Sequence, residues 1–251
     1  MKFIEIPNLP TKLVKLALVD GRISNDIEGV LIKKGIDLIK IKPIKSLYNA
    51  ISCHPDTSIH HLGNEKIIYA PGINESVLAS LANYGFNLIR GNSSLSYSYP
   101  GNIQYNVARV GNFAIHNTKY TDRLLLEELE KAGVKVIHVK QGYAKCSVCV
   151  VNDKSIITAD NGIAKVAYLN NIDVLLIEDD DNIGLPGLNR GFIGGSTGLI
   201  SRNKLAITGN IFKLKSANKI IKFLKSKNIE IEMLSRHKII DIGTIIPLFT
   251  L

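Results

Sequence analysis

The chain has few cysteines and no long apolar segment, and both absences restrict what it can be. Its 251 residues include only Cys53, Cys146 and Cys149. An odd, small number of cysteines in a chain large enough to build its own core argues against a disulfide scaffold. No run of about 18 apolar residues occurs, and the N-terminal segment lacks the apolar core of a signal peptide. We therefore expect a cytoplasmic protein with no membrane partner.

Acidic residues are scarce relative to basic ones. The chain has 31 lysine and arginine residues against 22 acidic ones, a formal net charge of +9. Such a balance can indicate an anionic partner such as nucleic acid. Much of the excess lies in the segment 213–227, where lysines alternate with apolar residues. Because interleaved arginines and exposed aromatic residues are missing there, we interpret the segment as a solvated helix face and keep a ribosome or nucleic-acid partner as the weaker alternative.

One short pattern recurs five times along the chain. It consists of a turn residue after a helical pattern, followed by a short β-rich run. The copies are KKGIDLIKI, NYGFNLIRG, KAGVKVIHV, LNNIDVLLI and SKNIEIEML. Their turn residues are Gly35, Gly85, Gly133, Asn171 and Asn228. Glycine and asparagine adopt the left-handed conformation most readily, so each copy predicts a helix end followed by a strand.

The last four copies are each preceded by a hairpin pattern and a helical pattern. The predicted hairpins are Ile51–Leu62 with Lys66–Ala70, then Ile103–Asn117, Lys145–Asp160 and Ser196–Gly209. The first copy has one clear strand before its helix, and a spare β-rich run follows the last copy. We therefore predict an α/β fold of five ββαβ units, with the C-terminal strand pairing into the first unit. Residues 1–251 are expected to form a single domain with a central channel.

The segment CHPDTSIHHLG opens the second unit. It resembles the arginine-aspartate-x-serine segment of the guanidino-group-modifying enzymes, which include arginine deiminases, dimethylarginine dimethylaminohydrolases and amidinotransferases. These enzymes share the pentein fold, a five-bladed α/β propeller of ββαβ repeats with pseudo-fivefold symmetry. The resemblance implies that Asp56 grips a substrate guanidinium and that Ser58 matches the family's serine, while Pro55 replaces its arginine.

The residues that perform the family's chemistry are missing. YPGNIQYNVARVGN is similar to the family's glutamate-glycine-glycine-aspartate segment, with Asn102 at the acidic position. The resemblance places Lys145 or Cys146 where the family has its histidine, and Gly243–Ile245 where it has its nucleophilic cysteine. Glycine, threonine and isoleucine cannot replace a low-pKa thiolate. The ribosome-binding translation initiation factor six is a non-enzymatic member of the same fold.

A row of polar residues in the second unit is the first candidate site. If Cys53–His61 is a strand, four polar side chains point to one face: His54, Asp56, Ser58 and His60. Such a row suits a channel wall that binds a cation or a polar ligand, and a solvated strand face is the alternative. The predicted ligand-binding residues are His54, Asp56, Ser58, Asn102, Lys145 and Ser196. Ser196 belongs to a glycine-rich loop, 184–198, which lacks the residues of a P-loop and is interpreted as a flap over the channel.

Cys146 and Cys149 form an isolated CxxC motif. A zinc site needs about four ligands, and strand residues three apart face opposite sides, so the sulfurs converge only if Cys146 precedes the strand. We expect no metal and no cofactor. Either thiol is an alternative nucleophile, Cys146 above all, because the charge of Lys145 would lower its pKa.

These features predict a protein that binds a small cationic or polar ligand, with guanidino compounds as one candidate class, and without deiminase chemistry. Two alternatives stay open. One is a hydrolase or transferase that uses Cys146 or Cys149 as nucleophile, and the other is an interaction module for the ribosome or nucleic acid.

Overall fold

The computed structural model describes residues 2–178 and 182–251, which contain five sheets built on a common plan. In four of them, two antiparallel strands are followed by a helix and by a third strand parallel to the second. This is the predicted ββαβ order. The structure is therefore a mixed α/β fold.

The elements follow one another in an order that repeats. The first two units contain β1 (Lys2–Phe3), β2 (Val14–Asp20), α1 (Asn25–Lys33), β3 (Asp37–Ile41), α2 (Pro55–Ser58), β4 (Ile59–Gly63), β5 (Lys66–Tyr69), α3 (Glu75–Asn83) and β6 (Asn87–Arg90). The next two contain β7 (Ala108–Val110), β8 (Phe113–His116), α4 (Arg123–Lys131), β9 (Lys135–His138), α5 (Ala144–Ser147), β10 (Cys149–Asn152), β11 (Ser155–Thr158), α6 (Asn161–Leu169) and β12 (Asp173–Leu176). The last part contains β13 (Ile183–Gly184), β14 (Thr197–Ser201), β15 (Lys204–Ile207), α7 (Ala217–Ser226), β16 (Glu230–Met233), β17 (Ile239–Ile240) and β18 (Ile246–Thr250).

The C-terminal strand completes the first sheet, whose order is β1-β18-β2-β3. Strand β18 runs antiparallel to β2, with Ile246 opposite Leu18, and antiparallel to β1, with Phe249 opposite Phe3. The predicted pairing of the C-terminal strand into the first unit is confirmed. Because β18 is paired along both of its edges, with β1 and with β2, the sheet also ties the first and last strands together.

The five helices that precede the repeated strands end as the sequence predicts. Gly35, Gly85 and Gly133 have φ angles of 73°, 87° and 68°, and Asn171 and Asn228 both have φ of 57°. The left-handed residue stops each helix and turns the chain into the next strand. The turn prediction is therefore confirmed for both residue types.

The lysine-rich segment forms helix α7 with a solvated face. Ile220 and Leu224 are buried, whereas Lys219, Lys222 and Lys225 are exposed. Apolar residues on one side and lysines on the other are what the sequence predicts. Among the helices of residues 2–178 and 182–251, none combines the length and apolar character needed to cross a membrane.

Three predicted strands begin later than expected, and their first residues form turns instead. Residues Pro55–Ser58 and Ala144–Ser147 are single helical turns, and the strand expected from Ile103 starts at Ala108. Pro55 favours this outcome because proline lacks the N–H that a strand ladder needs and fits the first position of a helix. The predicted row of His54, Asp56, Ser58 and His60 on one strand face is therefore wrong.

Candidate functional site

Buried polar residues collect in short segments that precede the first strands of the hairpins and β18. We call these the central segments: residues 54–58, 102–107, 144–147, 194–197 and 241–244. Hydrogen bonds join one to the next. The Asp56 amide donates to Gly243 O at 3.3 Å and the Lys145 amide donates to Asn106 O at 3.1 Å. The Asn106 side chain donates to Asp56 O at 3.2 Å. Residues far apart in sequence thus share one polar centre.

Asp56 and Cys146 form a buried side-chain pair in this centre. The Cys146 thiol donates to Asp56 Oδ2 at 3.0 Å, and Asn106 Nδ2 lies 3.2 Å from the same sulfur. Both Asp56 and Cys146 are at most 2% exposed. Asp56 Oδ1 has no hydrogen-bond partner among the described residues. An unpaired buried oxygen of this kind typically costs about 1–3 kcal/mol, so Asp56 is poised to accept a further donor or cation.

Three carboxyl groups of the described residues lie around the centre, and among these three only Asp56 has an oxygen without a described partner. Asp241 accepts from the amides of Phe192 at 2.8 Å and Gly243 at 2.9 Å, one on each oxygen. Asp20 binds the Arg22 guanidinium through both oxygens, at 3.0 and 2.7 Å. Asp56 is therefore the carboxyl group available to a ligand.

His54 lies between two of these carboxyl groups. Its Nε2 is 3.8 Å from Asp20 Oδ2 and its Nδ1 is 3.9 Å from Asp241 Oδ1, and neither nitrogen makes a hydrogen bond to a described residue. A side chain on Gly243 would collide with the His54 ring, since its Cβ would lie 2.3 Å from His54 Cβ. Gly243, at φ 65°, is thus required for the close packing of His54.

Burial favours the uncharged forms of the central groups. It raises the pKa of Asp56 and, separately, that of Asp241, although the charge of Lys145 lowers the pKa of Asp56. Burial also lowers the pKa of His54 and of Lys145. Desolvation penalises every charge here, so a bound cation would strongly favour ionised carboxylates.

The expected effect of Lys145 on Cys146 is wrong. Burial, followed by the carboxyl groups of Asp56 and Asp241, raises the pKa of the Cys146 thiol well above its ordinary value. Lys145 directs its Nζ to Thr244 Oγ1 at 2.7 Å instead. The proximity of a lysine in sequence therefore does not activate this thiol.

Cys149 occupies a different environment from Cys146. Cys146 precedes the strand, as convergence of the two sulfurs would need, but Cys149 lies on β10 within an apolar cluster that includes Ile157 and Leu205. Burial raises the pKa of its thiol to about 11. Neither arrangement provides the exposed thiolate that nucleophilic catalysis needs.

Three predicted ligand residues use their side chains for local hydrogen bonds, each to a backbone carbonyl four or five residues earlier in the chain. The Ser58 hydroxyl donates to His54 O at 3.4 Å, the Ser196 hydroxyl to Phe192 O at 2.7 Å and the Asn102 amide to Tyr97 O at 3.2 Å. The structure thus brings together His54, Asp56 and Lys145 from the predicted set.

The flap interpretation is wrong for the second half of the glycine-rich loop. Residues Gly194–Ser196 form a buried 3-10 turn, and the Ile242 and Thr244 amides both donate to Gly195 O, at 3.0 and 2.8 Å. A Cβ on Gly195 would lie 2.0 Å from Asp241 Oδ1. This half of the loop is a packed central segment.

Aromatic side chains from four loops lie next to the centre. We call Tyr48, Tyr97, Tyr99, Tyr143 and Phe192 the aromatic rim. Ring centroids are 5.7 Å apart for Tyr48 and Tyr97, and 6.3 Å apart for Tyr99 with Tyr143 and for Tyr143 with Phe192. Burial raises the pKa of Tyr48, and the nearby Cys146 and Asp241 raise it further. The hydrogen bond with the Tyr143 hydroxyl acts in the opposite direction. The rim therefore interacts electrostatically with the centre.

Two cavities border the central segments. One of about 20 Å³ is lined by Asp56, His60 and Lys145 and has room for a water-sized molecule. The other, of about 110 Å³, is lined by Ser147 and Phe192 together with Gln141, Asp160 and Arg190. Phe192 belongs to both the larger cavity and the aromatic rim.

Sequence reasoning missed Asp20, Asp241, Asn106 and the aromatic rim. Asp20 and Asp241 lie at or directly after the ends of short β-rich runs, and Asn106 precedes one. Because their positions relative to the strands differ, no shared pattern identified them. The tyrosines carried no shared pattern either.

The chain matches one family model. Residues 18–246 match a model described as a family of unknown function, DUF6873. No curated protein matches the chain.

Several solved structures are similar in fold. SxtG, an amidinotransferase of the saxitoxin biosynthetic pathway from Microseira wollei, has a TM-score of 0.60 at 12% identity, over 93% of this chain and 91% of that chain. The inosamine-phosphate amidinotransferase from Streptomyces griseus gives 0.59 at 10% identity, over 95% and 92%. A DDAH from Pseudomonas aeruginosa, complexed with citrulline, gives 0.58 at 9% identity, over 89% and 92%. At these identities the likeness concerns the fold alone. The chain belongs to the DUF6873 family of unknown function and has the pentein fold.

Proposed function

We propose that the protein binds a small cationic or polar ligand, with guanidino compounds as the leading class, at Asp56 in a central channel. The observation that carries this proposal is the unpaired Oδ1 of Asp56, on a buried carboxyl group whose two counterparts, Asp20 and Asp241, are already paired. A planar guanidinium offers the two parallel N–H donors that a carboxylate accepts. Arg22 on Asp20 is an example of this geometry within the same chain.

A single five-bladed propeller, spanning residues 1–251, is the architecture that we propose for this site. Three hydrogen bonds support it because they link different units: the Asn106 side chain donates to Asp56 O, the Lys145 amide donates to Asn106 O and the Asp56 amide donates to Gly243 O. A ring of units would surround a channel, with Asp56 among the residues at its centre.

The aromatic rim supplies a selection step for cations. Tyr97 and Tyr99 are 69% and 51% exposed, and Phe192 connects the rim to Asp241 through its amide. Aromatic faces attract cations, so a guanidinium that passes Phe192 meets π-faces before it meets a carboxylate.

Binding without the chemistry of guanidino-modifying enzymes follows from the residues at the centre. Thr244 occupies the region where the resemblance places the nucleophile, and its hydroxyl accepts from Lys145 and donates to Thr197 O at 2.8 Å. The thiols have raised pKa values. No described residue at the centre supplies a low-pKa nucleophile.

Thermal unfolding with and without arginine, agmatine and related guanidines tests this proposal. At a ligand concentration 100 times Kd, binding stabilises the native state by about 2.7 kcal/mol, which raises Tm by about 5 to 10 °C. Asp56→Asn should abolish the shift, whereas Asp153→Asn, at an exposed carboxylate, should retain it. Either no shift at millimolar ligand or an unchanged shift in Asp56→Asn contradicts the proposal.

The two alternative functions make different predictions. A thiol-dependent hydrolase or transferase requires rapid alkylation of Cys146 or Cys149 in the native protein, and alkylation only after unfolding rules it out. An interaction module for the ribosome or nucleic acid in the cytoplasm would use the exposed lysines of α7, and it requires salt-sensitive co-sedimentation with ribosomes or RNA.

A further inference from the structure

His54, Asp56 and Cys146 bring three kinds of metal ligand to one point. A ring nitrogen of His54, a carboxylate oxygen of Asp56 and the sulfur of Cys146 all lie within 4.8 Å of one another, and all three residues are buried. Two helical turns position them, since His54 and Asp56 flank the start of α2 and Cys146 lies in α5. Both turns are held by Asn106, which bonds to Asp56 O and accepts from the Cys146 amide at 3.2 Å. The three groups are thus fixed from two different units.

The hydrogen bonding of these groups is incomplete. Both ring nitrogens of His54 and Oδ1 of Asp56 have no hydrogen-bond partner among the described residues. A water in the cavity of about 20 Å³ can reach Asp56, but His54 is not among the residues that line this cavity. Buried imidazoles are rarely left without any partner. The unpaired nitrogens therefore point to a ligand that the protein alone does not supply.

We propose that His54, Asp56 and Cys146 bind one Zn²⁺ ion. Imidazole nitrogen, carboxylate oxygen and thiolate sulfur are the donors that zinc takes in proteins, and the thiolate argues against Mg²⁺ and Ca²⁺. Around a tetrahedral zinc ion with bonds of about 2.0–2.3 Å, neighbouring ligand atoms lie roughly 3.5 Å apart. The three side chains reach this geometry by small movements from their present separation.

The surroundings supply the supporting contacts that a zinc site needs. His54 has Asp20 and Asp241 at 3.8 and 3.9 Å, so that when one ring nitrogen faces the metal the other faces a carboxyl group. Asn106 Nδ2 lies 3.2 Å from the Cys146 sulfur and can donate to a thiolate. Contacts of this kind orient metal ligands and tune the bound ion.

Zinc binding displaces the proton of the Cys146 thiol. The Cys146 thiol now donates to Asp56 Oδ2. When Zn²⁺ binds, the S–H bond breaks, the proton leaves to solvent and a Zn–S bond forms, while Asp56 Oδ2 becomes free to coordinate the metal. Three protein ligands leave one coordination position open for a water or a ligand atom, as in catalytic zinc sites. The assignment goes beyond the proposed ligand binding, although both use Asp56.

Titration of chelator-treated protein with Zn²⁺ alone, in competition with a chromophoric chelator, tests the assignment. We expect one Zn²⁺ per chain, and about a 100-fold or greater loss of affinity in Cys146→Ser and in His54→Gln. Cys149→Ala is the matched control, because this thiol is equally buried but lies outside the cluster, and it should bind as the parent protein does. Co²⁺ in place of Zn²⁺ should give a sulfur-to-cobalt charge-transfer band that Cys146→Ser lacks.

The outcomes separate this assignment from the proposed function. Absence of stoichiometric Zn²⁺ binding, or equal affinity in folded Cys146→Ser, overturns the metal site. Guanidine stabilisation that persists in Cys146→Ser while Zn²⁺ fails to bind the parent protein would leave the proposed function standing alone. Zn²⁺ binding by the parent protein without any thermal shift from guanidines would support the metal site and contradict the proposed function. Circular dichroism of each variant establishes that the comparison is between folded proteins.

Discussion

Asp122 anchors the segment that carries two tyrosines of the aromatic rim. It is fully buried, and its Oδ1 accepts from the Leu125 amide at 3.0 Å, which caps helix α4. Its Oδ2 accepts from the amides of Asn92 and Ser93 at 2.9 and 2.7 Å. One carboxylate therefore holds both a helix start and the beginning of the segment that includes Tyr97 and Tyr99.

Asp122→Ala should destabilise the protein by about 3–5 kcal/mol. Loss of the helix cap contributes about 1 kcal/mol. Each amide bonded to a charged acceptor contributes about 1.5–3 kcal/mol, and the two amides that donate to Oδ2 would be left without their acceptor, as would the Tyr105 hydroxyl, which lies 3.2 Å from Oδ2. Simple addition of these contributions gives about 4–7 kcal/mol. Because neighbouring contributions are not additive, we expect a total near or slightly below the lower end of that range.

Asp160→Ala provides the matched control. Asp160 also caps a helix, accepting from the Ile163 amide at 2.8 Å. Its other oxygen accepts from the Gln141 side chain at 3.0 Å, and the residue is partly exposed. We expect a cost of about 1–2 kcal/mol there. Urea unfolding followed by circular dichroism gives both values, with the slope unchanged and the midpoint lowered.

Hydrogen exchange adds a local measurement to the unfolding experiment. The amides of Asn92 and Ser93 should exchange faster in Asp122→Ala than in the parent protein by more than the loss in global stability explains. If Asp122→Ala costs no more than Asp160→Ala, or if these amides keep their protection, Asp122 does not anchor the segment and the reasoning is refuted.

Two further predictions concern a turn and a buried histidine. Gly133 has φ of 68°, and no atom of the described residues lies within 4 Å of the position that a Cβ would take, so Gly133→Ala should cost about 1 kcal/mol for backbone conformation alone. Gly29, in helix α1, is equally unobstructed, and Gly29→Ala should stabilise the protein by about 0.5–1 kcal/mol. If urea unfolding shows that both substitutions change the stability in the same direction, this prediction is wrong. Burial lowers the pKa of His116 to about 4, so its stabilising contribution is complete above pH ~6.5 and is lost as pH falls towards 4, by about 3 kcal/mol. His116→Gln should flatten that part of the curve of unfolding free energy against pH, and an unchanged slope would show that His116 does not titrate there.

The repeated part of the fold could be predicted because its determinants are local. A left-handed turn residue after a helix, as at Gly85 or Asn228, depends on the side chain at that position and little else. Pairing of the C-terminal strand followed from a simple count of strands in the first and last units. The same local reasoning failed at Pro55–Ser58 and Ala144–Ser147, where backbone amides bond to other units instead of extending a hairpin.

The site could be predicted only in part because its partners come from distant units. Asp56 was identified through resemblance, but the periodicity that was expected to align it with His60 does not exist. Asp241 and Asn106 reach the centre from other units, and no local pattern encodes their contacts with His54 and Asp56. The same distance explains why Lys145 was expected beside the Cys146 thiol but directs its Nζ to Thr244.

The balance of charge at the centre favours occupation by a cation. Arg22 compensates Asp20 in a pair that is bidentate and partly exposed. Of the remaining carboxyl groups, Asp56 and Asp241 share one buried cation, Lys145, which acts on the pKa of Asp56. Two buried carboxylates with one lysine leave an excess negative charge, and burial makes that charge costly unless a proton or another cation neutralises it. A guanidinium at Asp56 or a zinc ion between Asp56 and Cys146 would each provide that charge, and both depend on the Asp56 carboxylate.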